Sequence, residues 1–243
     1  MSAVVVLPTY NEAEMLAVTV AAIRDAAPEV RILIADDASP DGTGDIADDL
    51  AAGDARIQVH HRPGKQGLGR AYLDSFKLLL ADESVHAILE MDADGSHDAS
   101  DVPRLIAALG RCDLAIGSRY VPGGRTQGWS RAREALSRFG NRYARRALGL
   151  PVRDSTSGFR AYSRRALSAL DLDSVTSDGY GFQIEMAWRT WLNGFEICEV
   201  PICFTERRAG SSKMSRAIVL EALVTVARWA AQRRRPEGPR PEA

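Results

Sequence analysis

The chain of 243 residues contains no run of roughly 18 uncharged apolar residues, the length a membrane-spanning helix needs. Any membrane contact is therefore expected to be peripheral. It has only three cysteines, Cys112, Cys198 and Cys203, and their spacing matches no metal-ligand pattern. An odd count, with an amino terminus that lacks a basic region and a cleavage site, points to reduced thiols in a cytoplasmic setting. Histidine is scarce at four residues, so little is available for imidazole acid–base chemistry. No glycine-rich loop has Walker spacing, since Gly64-Lys65-Gln66-Gly67-Leu68-Gly69 lacks it. There is no internal repeat, and nothing calls for a nucleic-acid partner.

What is present is unevenly arranged. The net charge is −1, but residues 1–118 hold 9 Lys/Arg against 20 Asp/Glu and residues 119–243 hold 22 against 12. An acidic half suits a cation site, and a basic half suits an anionic ligand or surface. Apolar strand-like runs alternate with helical patterns: strands at residues 3–8, 31–36, 56–62, 87–92 and 114–118, and helices at 12–27, 44–52, 70–81 and 100–109. That order predicts an α/β fold with a mainly parallel, doubly wound sheet. Residues 119–185 read as irregular, apart from a basic helix at 134–148. A late strand is expected at 194–204, a long helix at 215–235 and a proline-rich frayed tail at 236–243.

Two paired-acid motifs carry the chemistry. Asp36-Asp37 closes the second strand and leads into Ala38-Ser39-Pro40-Asp41-Gly42-Thr43; Asp92-Ala93-Asp94 closes the fourth and leads into Gly95-Ser96-His97. Carboxylates at the carboxyl ends of parallel strands face the crevice where open α/β sheets bind ligands. Asp92 and Asp94 are two apart, so in an extended segment they face the same way. A convergent pair of this kind suits a hard divalent cation, which would in turn hold a diphosphate. The plain alternative is that strand-end acids are solvated turn formers. The first strand stops at Pro8 and continues as Thr9-Tyr10-Asn11-Glu12. There Asn11 is placed to cap the next helix, and Tyr10 and Glu12 offer a stacking ring and a hydroxyl acceptor.

In this order, Pro-x-Tyr-Asn-Glu, Asp-Asp-x-Ser-x-Asp-Gly-Thr, Asp-x-Asp and Gly117-Ser118-Arg119-Tyr120, the chain resembles family 2 glycosyltransferases of the GT-A fold. Within them it is most similar to dolichyl-phosphate (polyprenyl-phosphate) mannose synthases. Lys65-Gln66-Gly67-Leu68-Gly69, Ser157-Gly158-Phe159-Arg160, Gly179-Tyr180-Gly181-Phe182 and Arg207 through Lys213 extend the likeness to about Met214. The resemblance implies a GT-A domain at 1–214 and a Rossmann-like nucleotide-sugar-binding sheet. It also implies inverting transfer of mannose from GDP-mannose to a polyprenyl or dolichyl monophosphate, with Mg²⁺ or Mn²⁺. Pro8, Tyr10, Glu12, Ala35 and Asp37 would line the guanosine pocket. Asp92, Ala93 and Asp94 would meet the diphosphate. Asp92, Asp94 and, as a neutral and weaker ligand, Ser96 would hold the metal. Asp94, Arg119, Arg207 and Lys213 would be the catalytic set, the three cations surrounding sugar-phosphate and acceptor phosphate. Arg208 is the alternative to Arg207. His97 is either a donor behind the metal or an ordinary loop residue.

The same resemblance assigns the acceptor phosphate to Arg133, Ser137 and Arg138, on a basic helix that also suits anionic headgroups. The helix at 215–235 is apolar with a terminal basic cluster, Gln232-Arg233-Arg234-Arg235. It reads either as an interfacial anchor or as a helix packed on a protein surface. A small membrane subunit is a possible partner, because some family members rely on one. Two other functions fit the motifs: sugar transfer from a UDP-sugar such as UDP-glucose to the same acceptor class, and a non-catalytic nucleotide-binding scaffold.

Overall fold

A computed structural model gives the fold and describes residues 2–206 and 216–231, the last of these without the side chains of 216–222. Strand β1 (Ser2–Thr9) leads through a loop to α1 (Leu16–Ala26), then β2 (Arg31–Asp36), α2 (Thr43–Gly53), β3 (Ile57–His61), α3 (Leu68–Leu80) and β4 (Val85–Glu90). A short 3-10 turn, Ala99–Asp101, precedes α4 (Val102–Ala108) and β5 (Leu114–Ser118). The second half adds β6 (Arg125–Gln127), α5 (Arg131–Leu148), β7 (Arg160–Ser163), α6 (Arg164–Ala169) and α7 (Gly179–Leu192). Last come β8 (Ile197–Pro201), β9 (Cys203–Thr205) and α8 (Arg216–Ala231).

Seven strands form one sheet in the order β3-β2-β1-β4-β7-β5-β8, parallel except for β7, which runs antiparallel to both neighbours. The strands are apolar on both faces because helices cover both. Alternation sends Val5 and Leu7 to one side, where they meet Leu16, Val20 and Ile23 of α1 and Val102 and Leu105 of α4. Val4 and Val6 go to the other, against Tyr72 and Phe76 of α3 and Met186 of α7. The expected α/β, mainly parallel architecture is what forms.

Four details differ from the sequence reading. The segment at 119–185 is more regular than expected, with β7 inserted between β4 and β5 and α7 beginning at Gly179. The late strand breaks at Ile202 into β8, which joins the main sheet, and β9, which pairs with β6 in a separate two-stranded ribbon. Helix α1 starts at Leu16, four residues late, and Asn11 caps nothing: it sits at φ 60°. Cys112 and Cys198 are not separate thiols but a disulfide, their Cα atoms 5.8 Å apart. They lie 86 residues apart in sequence, so only the β5–β8 pairing brings them together.

Helix α8 packs on the domain. Val226 is buried, the Trp229 ring stacks on Trp188, and the Leu223 carbonyl accepts from the Tyr143 hydroxyl.

Candidate active site

A cavity of about 470 Å³ opens beyond the carboxyl ends of the parallel strands, where such sheets bind ligands. Its first wall joins two of the sequence motifs. The amides of residues 11–13, left over because α1 starts late, donate to Ser39 Oγ (3.1 Å), Thr43 Oγ1 (3.0 Å) and Asp41 Oδ2 (3.2 Å). Asp36 accepts from the Thr9 hydroxyl at 2.8 Å and from the Ser39 amide and hydroxyl at 3.0 and 2.6 Å. Asp36, Ser39, Asp41 and Thr43 are thus structural. Pro8, Tyr10, Glu12 and Asp37 line the cavity as expected. Ala35 does not: it is fully buried inside β2, paired with Pro8 and His60. Asp37 is ion-paired with the buried Arg62, which also holds Asp74 at 3.0 Å. Burial pushes the Asp37 carboxyl up, against the pull of Arg62 and the Gln66 amide.

Asp92, Ala93 and Asp94 form the floor. Strand β4 ends at Glu90, and both acids lie just beyond it on the cavity lining, Asp94 in a bend. The turn is held by the Ser96 amide, which donates to Asp94 Oδ1 at 3.0 Å. Behind the floor is a buried polar cluster. Gln183 donates to Glu90 at 2.7 Å, and Arg160, fully buried, donates to the carbonyls of Ser155, Ser157 and Gln183, each at 2.7 Å. Burial pushes Glu90 up to about 7, with the Arg160 charge and the bonds from Gln183 and Tyr162 pulling the other way.

Among the described residues no group of three or more His, Cys, Asp and Glu is arranged to hold a metal ion. The pair Asp92 and Asp94 still fits one. Mg²⁺ and similar ions commonly bind one or two carboxylates and take their remaining ligands from water and substrate phosphates. Ser96 Oγ is buried, outside the cavity wall, and has no hydrogen-bond partner among the described residues. His97 is buried between the rings of Phe159 and Phe204, with Nε2 3.5 Å from Asp92 Oδ2. Neither ring nitrogen has a hydrogen-bond partner among the described residues, so both sequence readings of His97 stand.

The opposite wall comes from the basic half. Arg119 lines the cavity, but Asp154 grips it: Nε donates to Oδ2 and Nη2 to Oδ1, both at 2.7 Å, and Nη2 also reaches Thr156 Oγ1 at 2.9 Å. Burial alone would push the Asp154 carboxyl up; the Arg119 charge and hydrogen bonds hold it below the usual range. Arg133 lines the same wall, 4.2 Å from the Trp129 ring centroid, and donates to Glu206 at 2.6 Å. Ser137 accepts from the Tyr120 hydroxyl at 2.6 Å and borders a smaller, mainly apolar pocket beside the cavity. Arg138 lies over Tyr120 and pairs with Glu134, away from both spaces. Arg207 and Lys213 lie outside the described residues.

Sequence reasoning gave no role to several residues on the wall. Lys65 sits 4.0 Å over the Tyr10 ring, and Asp178 receives the Gly69 amide at 2.7 Å. Trp129, Thr156, Tyr180 and Glu206 complete the wall around Arg119 and Arg133. Lys65 and Tyr180 fall within the short motifs at 65–69 and 179–182, which the resemblance marked without assigning roles, whereas Trp129, Thr156, Asp178 and Glu206 lie outside every such motif.

The family model "Glycosyl transferase family 2" matches residues 4–171. An undecaprenyl-phosphate mannosyltransferase of Micrococcus luteus is 50% identical over 229 residues, covering 94% of each chain. A polyprenol monophosphomannose synthase of Mycolicibacterium smegmatis is 49% identical over 227 residues, covering 93% of this chain and 85% of that protein. Among solved structures, glucosyl-3-phosphoglycerate synthase from Mycobacterium tuberculosis in complex with Mn²⁺ and UDP-glucose superposes with a TM-score of 0.68. It is 22% identical, covering 95% of this chain and 79% of that one, a likeness that carries the fold alone. The motif-based resemblance is borne out: the chain belongs to glycosyl transferase family 2 and has its GT-A-like fold.

Proposed function

We propose that the protein transfers mannose from GDP-mannose to a polyprenyl (dolichyl-type) monophosphate, with inversion to a β-linked product. One observation carries the reading: a single cavity holds Asp92 and Asp94 between an aromatic wall at Tyr10 and a cationic wall at Arg119 and Arg133. The two relatives at about half identity, named for undecaprenyl-phosphate and polyprenol monophosphate mannosylation, support the sugar and the acceptor class.

In this reading Pro8, Tyr10, Glu12 and Asp37 seat the guanosine, and Asp92, Ala93 and Asp94 face the diphosphate. Asp92 and Asp94 would hold Mg²⁺ or Mn²⁺, with Ser96 at most through water; the ion supplies Lewis-acid stabilisation of the departing diphosphate. The nucleophile is a phosphate monoester with a second pKa near ~6, already largely ionised at neutral pH. It needs positioning more than deprotonation. Arg133, which lines the cavity, would contact the acceptor phosphate, with Ser137 one helical turn along α5. Arg138, Arg207 and Lys213 keep their proposed roles on resemblance. Arg119, held by Asp154, adds positive potential at a fixed position more than a mobile grip.

No helix among the described residues is long and apolar enough to cross a membrane. The lipid acceptor and the basic, partly apolar outer face of α5, where Leu136 and Phe139 are exposed, support peripheral contact with a membrane surface. Residues 1–214 are proposed as the catalytic unit, with a small membrane subunit as a possible partner; α8 packs on α5 and α7, as a helix seated on the protein surface does, and the tail at 236–243 lies outside the described residues.

The test is a donor panel. Purified protein with polyprenyl phosphate in detergent receives radiolabelled GDP-mannose or UDP-glucose. Label in the lipid phase from GDP-mannose alone is expected. Label from UDP-glucose alone would replace the donor, and no transfer from either, with nucleotide still bound, would favour a scaffold or a missing subunit.

A further inference from the structure

We infer that Gln183 is a specificity contact for the donor's sugar: its Oε1 accepts the hydroxyl on the carbon next to the anomeric centre and so reads the configuration there. This rests on the GDP-mannose reading above. Gln183 lines the cavity together with Asp92 and Gly158. It is only 2% exposed, and its Oε1 is buried with no hydrogen-bond partner among the described residues. A buried amide oxygen left unpaired is costly, so a working site is expected to supply it with a donor.

The rest of the side chain is already committed. Nε2 donates to Glu90 Oε2 at 2.7 Å, and the Gln183 main-chain carbonyl accepts from Arg160 Nη1 at 2.7 Å. The preceding residue, Phe182, is fully buried and its ring stacks on Tyr72. The amide is therefore held on a packed helix, with its donor end spent and its acceptor end over. An acceptor suits neither a diphosphate oxygen nor an acceptor phosphate, which are themselves acceptors. It suits a hydroxyl, and the base and ribose of the donor are taken up along Tyr10, Glu12 and Asp37 in the reading above. The hydroxyls that remain belong to the sugar.

Gly158 shows which hydroxyl comes within reach. A Cβ built there would stand 3.8 Å from Gln183 Nε2 and 3.8 and 3.9 Å from the two carboxylate oxygens of Asp92. With glycine at this position no side chain fills the space between the amide and the acid that faces the diphosphate. The anomeric carbon is bonded to that diphosphate, so the hydroxyl nearest to a group beside Asp92 is the one on C2. Mannose and glucose differ only in the configuration of that carbon. A buried polar group that matches one hydroxyl position discriminates against a sugar that leaves it unpaired.

The experiment measures transfer to polyprenyl phosphate from GDP-mannose and from GDP-2-deoxymannose in wild type, Gln183→Met and Gly158→Ala, with GDP affinity by calorimetry beside it. A 2-deoxy sugar leaves more readily for intrinsic reasons, so the quantity read is each variant's kcat/KM relative to wild type on the same donor. Gln183→Met keeps the length and removes the acceptor. It should lose roughly tenfold on GDP-mannose and less than about twofold on the 2-deoxy donor, with GDP affinity unchanged. Gly158→Ala places a methyl at ordinary van der Waals distances, so the fold should tolerate it, and by filling the space it should show the same selective loss. It carries the test if Gln183→Met does not fold. Equal losses on both donors in a folded variant would make the role structural and overturn the inference. No loss on GDP-mannose would also overturn it and leave an ordered water as the partner of Oε1. Wild type that transfers nothing from GDP-mannose would overturn the donor reading and the inference with it, and that result is read without any variant.

Discussion

Asp154 holds Arg119 by a two-point ion pair, Nε to Oδ2 and Nη2 to Oδ1 at 2.7 Å each, with the Arg119 amide donating to the same carboxylate at 2.9 Å. The pair is buried, so neither charge is offset by water. It sets the cationic wall of the cavity in one place.

Asp154→Asn should therefore destabilise the fold by about 3–5 kcal/mol, because it leaves a buried guanidinium without its counter-charge. The carboxyl titrates below its ordinary value in the fold. The pair's contribution is thus fully present above about pH 3.9 and is lost as the pH falls through the lower folded value. Denaturant unfolding at pH 7 and at pH 3 checks this: a large gap between variant and wild type at pH 7 that narrows on acidification.

Arg133 is shared between Trp129 and Glu206. Arg133→Ala should raise the acceptor KM roughly tenfold or more through a lost charge-assisted contact, with the donor KM unchanged. Glu206→Gln should lower the acceptor KM roughly two- to fivefold by freeing Arg133 from a half-exposed ion pair. Steady-state kinetics with the two substrates varied in turn separates these effects from a general loss of fold.

Gly67 stands where a side chain meets both a positive φ and the Asp178 carboxylate. Gly67→Ala should cost about 1–3 kcal/mol of stability and displace Asp178 from the Gly69 amide. A raised donor KM together with a lowered Tm is the expected result; a raised KM at unchanged Tm would place the effect on the ligand alone.

The sheet was legible because its strands are buried on both faces and read as continuous apolar runs, Ala3-Val4-Val5-Val6-Leu7 above all. β7 escaped because it has four residues and begins with Arg160, whose burial depends on three carbonyls that no local pattern reveals. α7 escaped because Gly179 and Gly181 look like loop residues; Gly181 is helical only because α7 has tertiary partners. Of the site, the paired acids and the Tyr10 wall were visible as motifs. The partners that fix them were not: Asp154 lies 35 residues from Arg119, and Arg62 lies 25 from Asp37. Ala35 was assigned from the motif's position in the family, and β2 buries it beneath the cavity wall. The disulfide was invisible for the same reason of sequence distance.

The most direct test of the account is mannose transfer from radiolabelled GDP-mannose to polyprenyl phosphate, with Mg²⁺ or Mn²⁺ and with EDTA, in wild type and Asp94→Ala. Asp94 lines the cavity floor, and its turn is held by the Ser96 amide. Circular dichroism would verify that the variant folds. The account predicts lipid-phase label that requires the ion and falls by at least roughly a hundredfold in the folded variant. Equal transfer with EDTA, or full activity in Asp94→Ala, would contradict it.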